Sequence, residues 1–254
     1  MTGSEDSSVR RLLVLAASGA FGSGLTGPEA KVWPEILRDR MSERLGPVEM
    51  RLTRYYVHAG MPWEILESEL SKGPFEFIVL QCTSVMATQK TVANRVTNLL
   101  GKSAGAWTEA KVRNIDRKTL RGGPVRERMN RIGHQTARRV IGTAPSIGID
   151  ELISRYLRAI DRVAMAETAD IAVIGTGFAS KAARDNNPEV ERMKLKFNGT
   201  LERAARQKHL HWIDSVAVTE ASDDPEATFS DPVHKGQQWH DGLAHAVATA
   251  FLKI

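Results

Sequence analysis

An apolar run near the start of the chain turns abruptly into a loop of small residues. Residues 12–24 read LLVLAASGAFGSG, in which the aliphatic residues favour a buried strand and Ser18 places a hydroxyl at the bend. In open α/β sheets, ligands bind at the carboxyl ends of the strands. We therefore expect Ser18 at a functional edge of a sheet, where a base, an orienting acid and hydrogen-bond donors would make it a nucleophile.

Later apolar segments alternate between strand-like and helix-like patterns. Strands are predicted over residues 48–57, 75–82, 169–175 and about 210–214. Helices are predicted over about 32–45, 63–70, from Ile149 onward, over 188–208 and in a closing helix whose Trp239, Leu243, Ala244, Val247 and Phe251 share a face. Strands alternating with helices imply parallel βαβ units. We expect an α/β fold, a three-layer α/β/α sandwich around a flavodoxin-like parallel sheet of about five strands.

The positive charge of the chain is concentrated in one segment. The formal net charge is +5, but residues 90–139 hold 13 Lys and Arg against 3 Asp and Glu, so this segment alone carries +10. No strand is apparent over residues 84–148, which we interpret as a basic insertion or lid within a single domain spanning residues 1–254.

Three interpretations of this basic segment stay open. It is either a solvated surface, a lid that attracts an anionic acyl substrate, or a surface that binds nucleic acid. An anionic acyl substrate here means a coenzyme A thioester, an acyl carrier protein or a phosphorylated lipid. Trp107 is the one aromatic residue in the core of the segment, which disfavours base stacking and hence nucleic acid.

Cysteine content and apolar run lengths limit the compartment. Cys82 is the only cysteine of the chain, which excludes an intramolecular disulfide and a cysteine-rich metal site. Arg10 and Arg11 before an apolar run imitate a signal peptide, but Glu5 and Asp6 precede them and the run is short. No run approaches the roughly 20 apolar residues needed to span a bilayer. We expect a cytoplasmic protein without a membrane span.

A second chemical motif lies just before the closing helix. Residues 230–234 read SDPVH, which places Asp231 three residues before His234 around a rigid proline. Asp231 can hold His234 in the tautomer whose other nitrogen faces a serine hydroxyl. Because a D-x-x-H match is weak alone, a solvated loop with an incidental histidine is the competing interpretation.

The combination of these two motifs resembles the SGNH, or GDSL-type, hydrolase family. Residues 16–22, AASGAFG, match the family's first block, and Ser18 matches its nucleophile. Asp231 and His234 match the closing Asp-x-x-His block. The resemblance implies a Ser-His-Asp triad of Ser18, His234 and Asp231, with no cofactor and no metal.

The two middle blocks of the family match in part. Gly60, after the second predicted strand, resembles the glycine that donates a backbone N–H to the oxyanion. Ser84 stands where the family has an Asn, and Ala17 stands where it has an Asp before the nucleophile. The implied oxyanion hole is therefore Ser18, Gly60 and Ser84, where a hydroxyl replaces an amide.

The resemblance implies an acyl or acetyl esterase acting on a small-molecule or carrier-linked acyl ester. The alternatives are an acyltransferase with an anionic acyl donor, and a catalytically weak binding module whose basic segment docks an anionic partner. Gly19-x-x-Gly22-x-Gly24 has the wrong glycine order for a dinucleotide loop, and no P-loop lysine follows. On the closing helix, His240 is expected on the surface.

Overall fold

Five strands form one parallel sheet within the described residues, which are 9–23, 25, 27–55, 63–100, 103, 107–108, 144–222, 224–230 and 235–253 of a computed structural model. The strands are β1 (Arg10–Ala16), β2 (Val48–Arg54), β3 (Phe77–Gln81), β4 (Asp170–Ile174) and β5 (His211–Ile213). Their order across the sheet is β2-β1-β3-β4-β5. The predicted parallel α/β architecture is confirmed.

Strand β1 lies inside the sheet and is apolar because both of its faces are covered. It pairs in parallel with β2 on one side and β3 on the other, so that Leu12 lies opposite Met50 and Phe77. All residues from Leu12 to Ala16 are fully buried, as expected for a parallel strand between two helical layers. The predicted strand 48–57 ends earlier, at Arg54.

Helices, numbered along the described residues, cover the sheet. The longer ones are α1 (Trp33–Leu45), α2 (Trp63–Leu70), α4 (Val92–Leu100), α5 (Ile149–Val163), α7 (Val190–Gln207) and α9 (Gln237–Leu252). The shorter ones are α3 (Val85–Thr88), α6 (Lys181–Asn186) and α8 (Ser215–Glu220). No helix of the described residues is long and apolar enough to cross a membrane.

Alternate residues of β1 point into two separate layers, as strand geometry requires. On one face, Leu12 and Val14 join a buried cluster with Trp33 of α1 and Leu243 of α9. Helices α5 and α7 pack against each other, with the Tyr156 and Phe197 rings edge to face at 5.5 Å. The three-layer α/β/α sandwich is therefore as predicted.

The closing helix α9 buries the predicted face, but it also buries His240. The prediction of a surface histidine is wrong, because His240 is fully inaccessible to solvent. Its Nδ1 accepts a hydrogen bond from the backbone N–H of Trp33 at 3.1 Å. This N–H belongs to the first turn of α1 and has no partner within its own helix. Burial lowers the pKa of His240 to about 4, so the imidazole is neutral.

Helix α8 follows β5 directly and was not predicted from the sequence. Asp214 ends the strand segment, and its carboxylate accepts hydrogen bonds from Val216 N at 2.8 Å and Ala217 N at 3.3 Å. This is an N-cap, which turns a β-branched sequence into a helix because it satisfies the first free N–H groups. The strand predicted at about 210–214 is confined to His211–Ile213.

The chain divides into two compact units, of which one comprises residues 1–84 and 149–254 and the other residues 85–148. The second unit contains α3 and α4, and Thr91 and Ala144 form an isolated antiparallel bridge in it. Ser146 donates hydrogen bonds to Met86 O from its backbone N at 3.1 Å and its hydroxyl at 2.8 Å. Most of the basic segment lies outside the described residues, and its role as a lid stays a prediction.

Candidate active site

Ser18 lies directly beyond the carboxyl end of β1. The strand ends at Ala16, Ala17 remains extended, and Ser18 opens a single 3-10 turn, Ser18–Phe21. Ala20 N donates to Ala17 O at 3.1 Å, and Gly22 ends the turn with a φ of 80°, which favours glycine. Ser18 itself is exposed. Its hydroxyl is therefore accessible to a substrate at the edge predicted from the sequence.

The backbone beside Ser18 is held by a residue that the sequence analysis missed. Ala17 N donates a hydrogen bond to Gln81 Oε1 at 3.2 Å. Gln81 ends β3, the strand next to β1, and it is the one polar residue of that strand. A polar side chain at the end of a buried strand was the available signal. Gln81 thus ties the bend that carries Ser18 to the neighbouring strand.

Ser84, the third predicted oxyanion residue, is fully buried against the loop that follows β4. Its hydroxyl lies 3.1 Å from Thr176 Oγ1, and its backbone N donates to the same oxygen at 3.4 Å. Asn198 of α7 holds Thr176 by accepting from its N at 2.9 Å and donating to its O at 2.9 Å. Ser84 is therefore part of a polar network between the ends of β3 and β4.

Three predicted site residues, Gly60, Asp231 and His234, lie outside the described residues. The two flanks of the loop with Asp231 and His234 are described, and they meet as an isolated antiparallel bridge between Phe229 and Lys235. Gly236 N also donates to Thr228 O at 2.7 Å. The ends of this loop are thus closed together immediately before α9.

Two lysines with lowered pKa values lie at the carboxyl-terminal edge of the sheet, as Ser18 does. Lys235 Nζ donates to Thr219 Oγ1 and Thr228 Oγ1, both at 3.3 Å, and lies 3.4 Å from the centre of the Phe229 ring. Burial and the nearby charge of Lys194 lower the pKa of Lys235 to about 7. Burial likewise lowers the pKa of Lys194 to about 8. Neither lysine was singled out from the sequence.

Two further titratable groups of the described residues, Cys82 and His211, lie near strand ends. Cys82 is buried, and burial raises the pKa of its thiol well above the ordinary value, so the sulfur stays protonated. His211 Nε2 lies 2.8 Å from Asp170 Oδ1 at the opposite, amino-terminal ends of β4 and β5. Within the residues described, no group of three or more His, Cys, Asp or Glu side chains is arranged to hold a metal ion.

Comparisons with known proteins find similarity in structure. No protein-family model and no curated protein sequence matches the chain. A lipase/acylhydrolase from Enterococcus faecalis matches with a TM-score of 0.56 at 13% identity, covering 94% of this chain and 94% of that one. The esterase EstA from Pseudoalteromonas sp. matches with a TM-score of 0.53 at 10% identity, covering 96% and 97%. An acetyl-xylooligosaccharide esterase from Geobacillus matches with 0.51 at 12% identity, covering 96% and 93%.

These similarities extend over nearly the whole length of each chain. They show that the chain has the same fold as these esterases and this acylhydrolase, which is the fold that the resemblance in the sequence implied. At identities of 10% to 13% they establish the fold only, and the reaction has to be argued from the residues of the site.

Proposed function

We propose that this protein is a serine-dependent ester hydrolase in which Ser18 is the nucleophile, His234 the general base and Asp231 the residue that orients the imidazole. The observation that carries the proposal is the exposed Ser18 hydroxyl at the carboxyl end of an interior strand of an SGNH hydrolase fold. Solved structures described as esterases and an acylhydrolase have the same fold and support this class of reaction. The proposed substrate is a small-molecule or carrier-linked acyl ester.

The reaction proceeds in two steps through an acyl-serine. Ser18 Oγ attacks the ester carbonyl carbon while His234 takes the hydroxyl proton, and the carbonyl oxygen becomes an oxyanion. The tetrahedral intermediate then collapses, so that the alcohol leaves with the proton from His234 and the acyl group stays on Ser18. Water, deprotonated by His234, then attacks the acyl-serine carbonyl carbon. The second tetrahedral intermediate collapses, the acid is released, and Ser18 Oγ takes back the proton from His234. Asp231 stabilises the imidazolium that forms in each step.

The oxyanion is stabilised by the backbone N–H groups of Ser18 and Gly60, together with the hydroxyl of Ser84. Thr176 supports this assignment, because its hydroxyl accepts from Ser84 N and can donate to Ser84 Oγ, which orients the Ser84 hydroxyl. Gln81 is a positioning residue for the nucleophile, since it fixes the backbone N of the residue before Ser18. No cofactor and no metal take part in these steps.

Transfer to an alcohol in place of water is the closest alternative to hydrolysis. Both reactions form the same acyl-serine, and they differ in what attacks it. The basic segment over residues 90–139, with its charge of +10, favours an anionic acyl donor for such a transferase. Product analysis with added alcohols separates the two, since a transferase diverts the acyl group from free acid to a new ester.

A second candidate function is a catalytically weak SGNH-like module that docks an anionic partner. It is favoured by Ser84 in place of an amide and by the same basic segment. For either function we propose a single domain over residues 1–254, in which residues 84–148 are an insertion. We also propose a cytoplasmic location, which the single cysteine of the chain supports. A binding module would associate with an acidic partner in a salt-dependent way and would not turn over esters.

Hydrolysis of neutral p-nitrophenyl esters tests the proposal. The acyl chains of these esters are short, with about two to eight carbons. Wild type is compared with Ser18→Ala and His234→Ala, and with Ser71→Ala, an exposed serine in the turn after α2, as the matched control. We expect kcat to fall by about 10³-fold or more in the first two variants and to stay unchanged in the third. Equal turnover in wild type and Ser18→Ala contradicts the proposal.

A further inference from the structure

Lys194, Lys235 and Ser215 come together around one glycine at the end of β4. Lys194 Nζ donates to Gly177 O at 2.5 Å. A Cβ on Gly177 would lie 2.9 Å from Ser215 Oγ and 3.9 Å from Lys235 Cε. The three side chains arrive from α7, from the start of α8 and from the residue that follows His234, so the fold gathers them from distant parts of the sequence.

Neither ammonium group forms an ion pair with a carboxylate of the described residues. No carboxylate lies within 4 Å of either lysine among the ion pairs of the described residues. The acidic side chains that act electrostatically on the two lysines are Glu226 and Glu191. They lie 2.6 Å and 3.8 Å from nitrogen atoms of Arg184. Within the part of the chain that the structure describes, three cations thus share two anions, so the described surroundings of Lys194 and Lys235 are deficient in negative charge.

The lowered pKa values of both lysines agree with this deficit of negative charge. Burial and the charge of Lys194 lower the pKa of Lys235 to about 7, against the weaker opposing effect of Glu226. Burial lowers the pKa of Lys194 to about 8, with Arg184 acting in the same direction and Glu191 against it. A bound anion would favour the charged form of both amines. Both lysines are half-buried rather than sealed from solvent.

A buried hydroxyl completes the group. Ser215 is 1% exposed, and its Oγ has no hydrogen-bond partner in the described structure. Buried polar atoms are nearly always paired, so an unpaired one calls for a ligand or a water. Lys194 uses one of its three protons on Gly177 O, and Lys235 uses two of its three on threonine hydroxyls. Each ammonium group therefore retains at least one donor that can point at a ligand.

We propose that Lys194, Lys235 and Ser215 form a subsite that binds the anionic group, a carboxylate or a phosphate, of the ester substrate. The proposal rests on the proposed function, because Lys235 directly follows His234 and the subsite therefore adjoins the loop that carries the base. It assigns a substrate class to the enzyme, namely an ester whose acyl or alcohol part bears a negative charge. Recognition consists of two charge-assisted hydrogen bonds and one neutral hydrogen bond.

A matched pair of esters tests this specificity. The charged substrate is p-nitrophenyl hydrogen succinate, and the neutral one is its methyl ester, which has the same acyl chain. We expect wild type to prefer the charged ester in kcat/KM. Lys194→Met should reduce kcat/KM for the charged ester by about 10- to 100-fold, mainly through KM, and leave the neutral ester unaffected. Lys196→Met, on the same helix but paired with Asp150, is the control.

Two further variants separate binding from a structural role of the lysine. Ser215→Ala should weaken the preference for the charged ester without changing turnover of the neutral one. Lys235 also contacts Thr219 and Thr228, so Lys235→Met tests both anchoring of the loop and anion binding. Loss of activity on both esters in that variant indicates anchoring, whereas selective loss on the charged ester indicates the subsite. Equal kcat/KM for both esters in wild type and all variants overturns the proposal.

Anion binding is also measured without catalysis, so that failure of the proposed function is distinguished from failure of the subsite. Ser18→Ala is titrated with succinate or with inorganic phosphate, and heat and proton uptake are recorded by calorimetry. We expect Lys194→Met to remove binding in this background and Lys196→Met to retain it. Tighter binding of phosphate than of succinate identifies a phosphorylated substrate, and the reverse identifies a carboxylate.

The pH dependence of succinate binding gives a separate readout. The amines are protonated at pH 6.5 and lose their protons above their lowered pKa values, so affinity should fall between pH 7 and 9, with proton uptake on binding. The charged groups that face the two amines among the described residues are Arg184, Glu191 and Glu226. Binding of neither anion by the Ser18→Ala protein overturns the subsite, even if the neutral ester is hydrolysed.

Discussion

Acidification should destabilise the fold through one buried histidine, His240. Its Nδ1 accepts the Trp33 N–H at the start of α1 and its ring is fully buried between α1 and α9. Protonation would put a second proton on the ring, break this hydrogen bond and leave a charge in the core. Replacement by Asn keeps an acceptor near the same position and removes the titration.

The size of the effect follows from the shift in pKa. Burial lowers the pKa of His240 from 6.5 to about 4, so the folded protein favours the neutral ring and the unfolded chain binds the proton more readily. The contribution to stability is complete above pH 6.5 and is lost as the pH falls through 6.5 toward 4. By linkage, this one group lowers the free energy of unfolding by about 2 kcal/mol between pH 7 and 5, and by about 3 kcal/mol at pH 4 and below.

Urea unfolding at pH 7 and pH 5, followed by far-UV circular dichroism, measures this difference. We expect His240→Asn to be less stable than wild type at pH 7, yet to lose about 2 kcal/mol less than wild type between the two pH values. His245→Asn, an exposed position on the same helix, should lose as much as wild type. An equal loss in wild type and His240→Asn would refute the assignment of the pH dependence to this residue.

Two other substitutions probe the proposed oxyanion donor Ser84 and the ion pairs of Glu69. Ser84→Ala should lower kcat by roughly 10²- to 10³-fold with little change in KM, because the hydroxyl acts only in the transition state; unchanged kcat would reduce Ser84 to a packing residue. Glu69→Gln should lower the free energy of unfolding at pH 7 by about 1–3 kcal/mol, measured in urea, because the nearly buried Glu69 carboxylate pairs with Arg51 and Lys72. The Arg51 guanidinium holds the pKa of Glu69 near 2, so wild type should lose this contribution as the pH falls from about 4.5 to 2, and a flat wild-type profile would contradict it.

The sequence predicts the sheet because each strand is a short apolar run between breaks. Residues Leu12 to Ala16 are aliphatic without alternation, which is what a strand covered on both faces requires, and the structure buries all of them. Helices α5 and α9 follow equally from their periodic apolar faces. Prediction fails where a local contact overrides the pattern, as at α8, whose β-branched sequence becomes helical on the cap of Asp214.

The candidate site is predictable only in part, since motifs carry no information about long-range partners. Ser18 is found because a hydroxyl at a strand end has a local signal. Ser84 and Thr176 are 92 residues apart and meet only because β3 and β4 are neighbours in the sheet. The same holds for His240 and Trp33, which are 207 residues apart. The helical pattern around His240 therefore does not reveal that this side chain accepts a hydrogen bond from the first turn of α1.

Labelling of the intact protein with a fluorophosphonate tests the central claim, that Ser18 is an activated nucleophile, most directly. The probe phosphonylates a serine only where a base and an oxyanion hole activate its hydroxyl. Intact mass followed by peptide mapping should show one adduct, on Ser18, that is absent from Ser18→Ala and strongly reduced in His234→Ala. An unlabelled wild-type protein, or an adduct that persists in Ser18→Ala, would contradict the account.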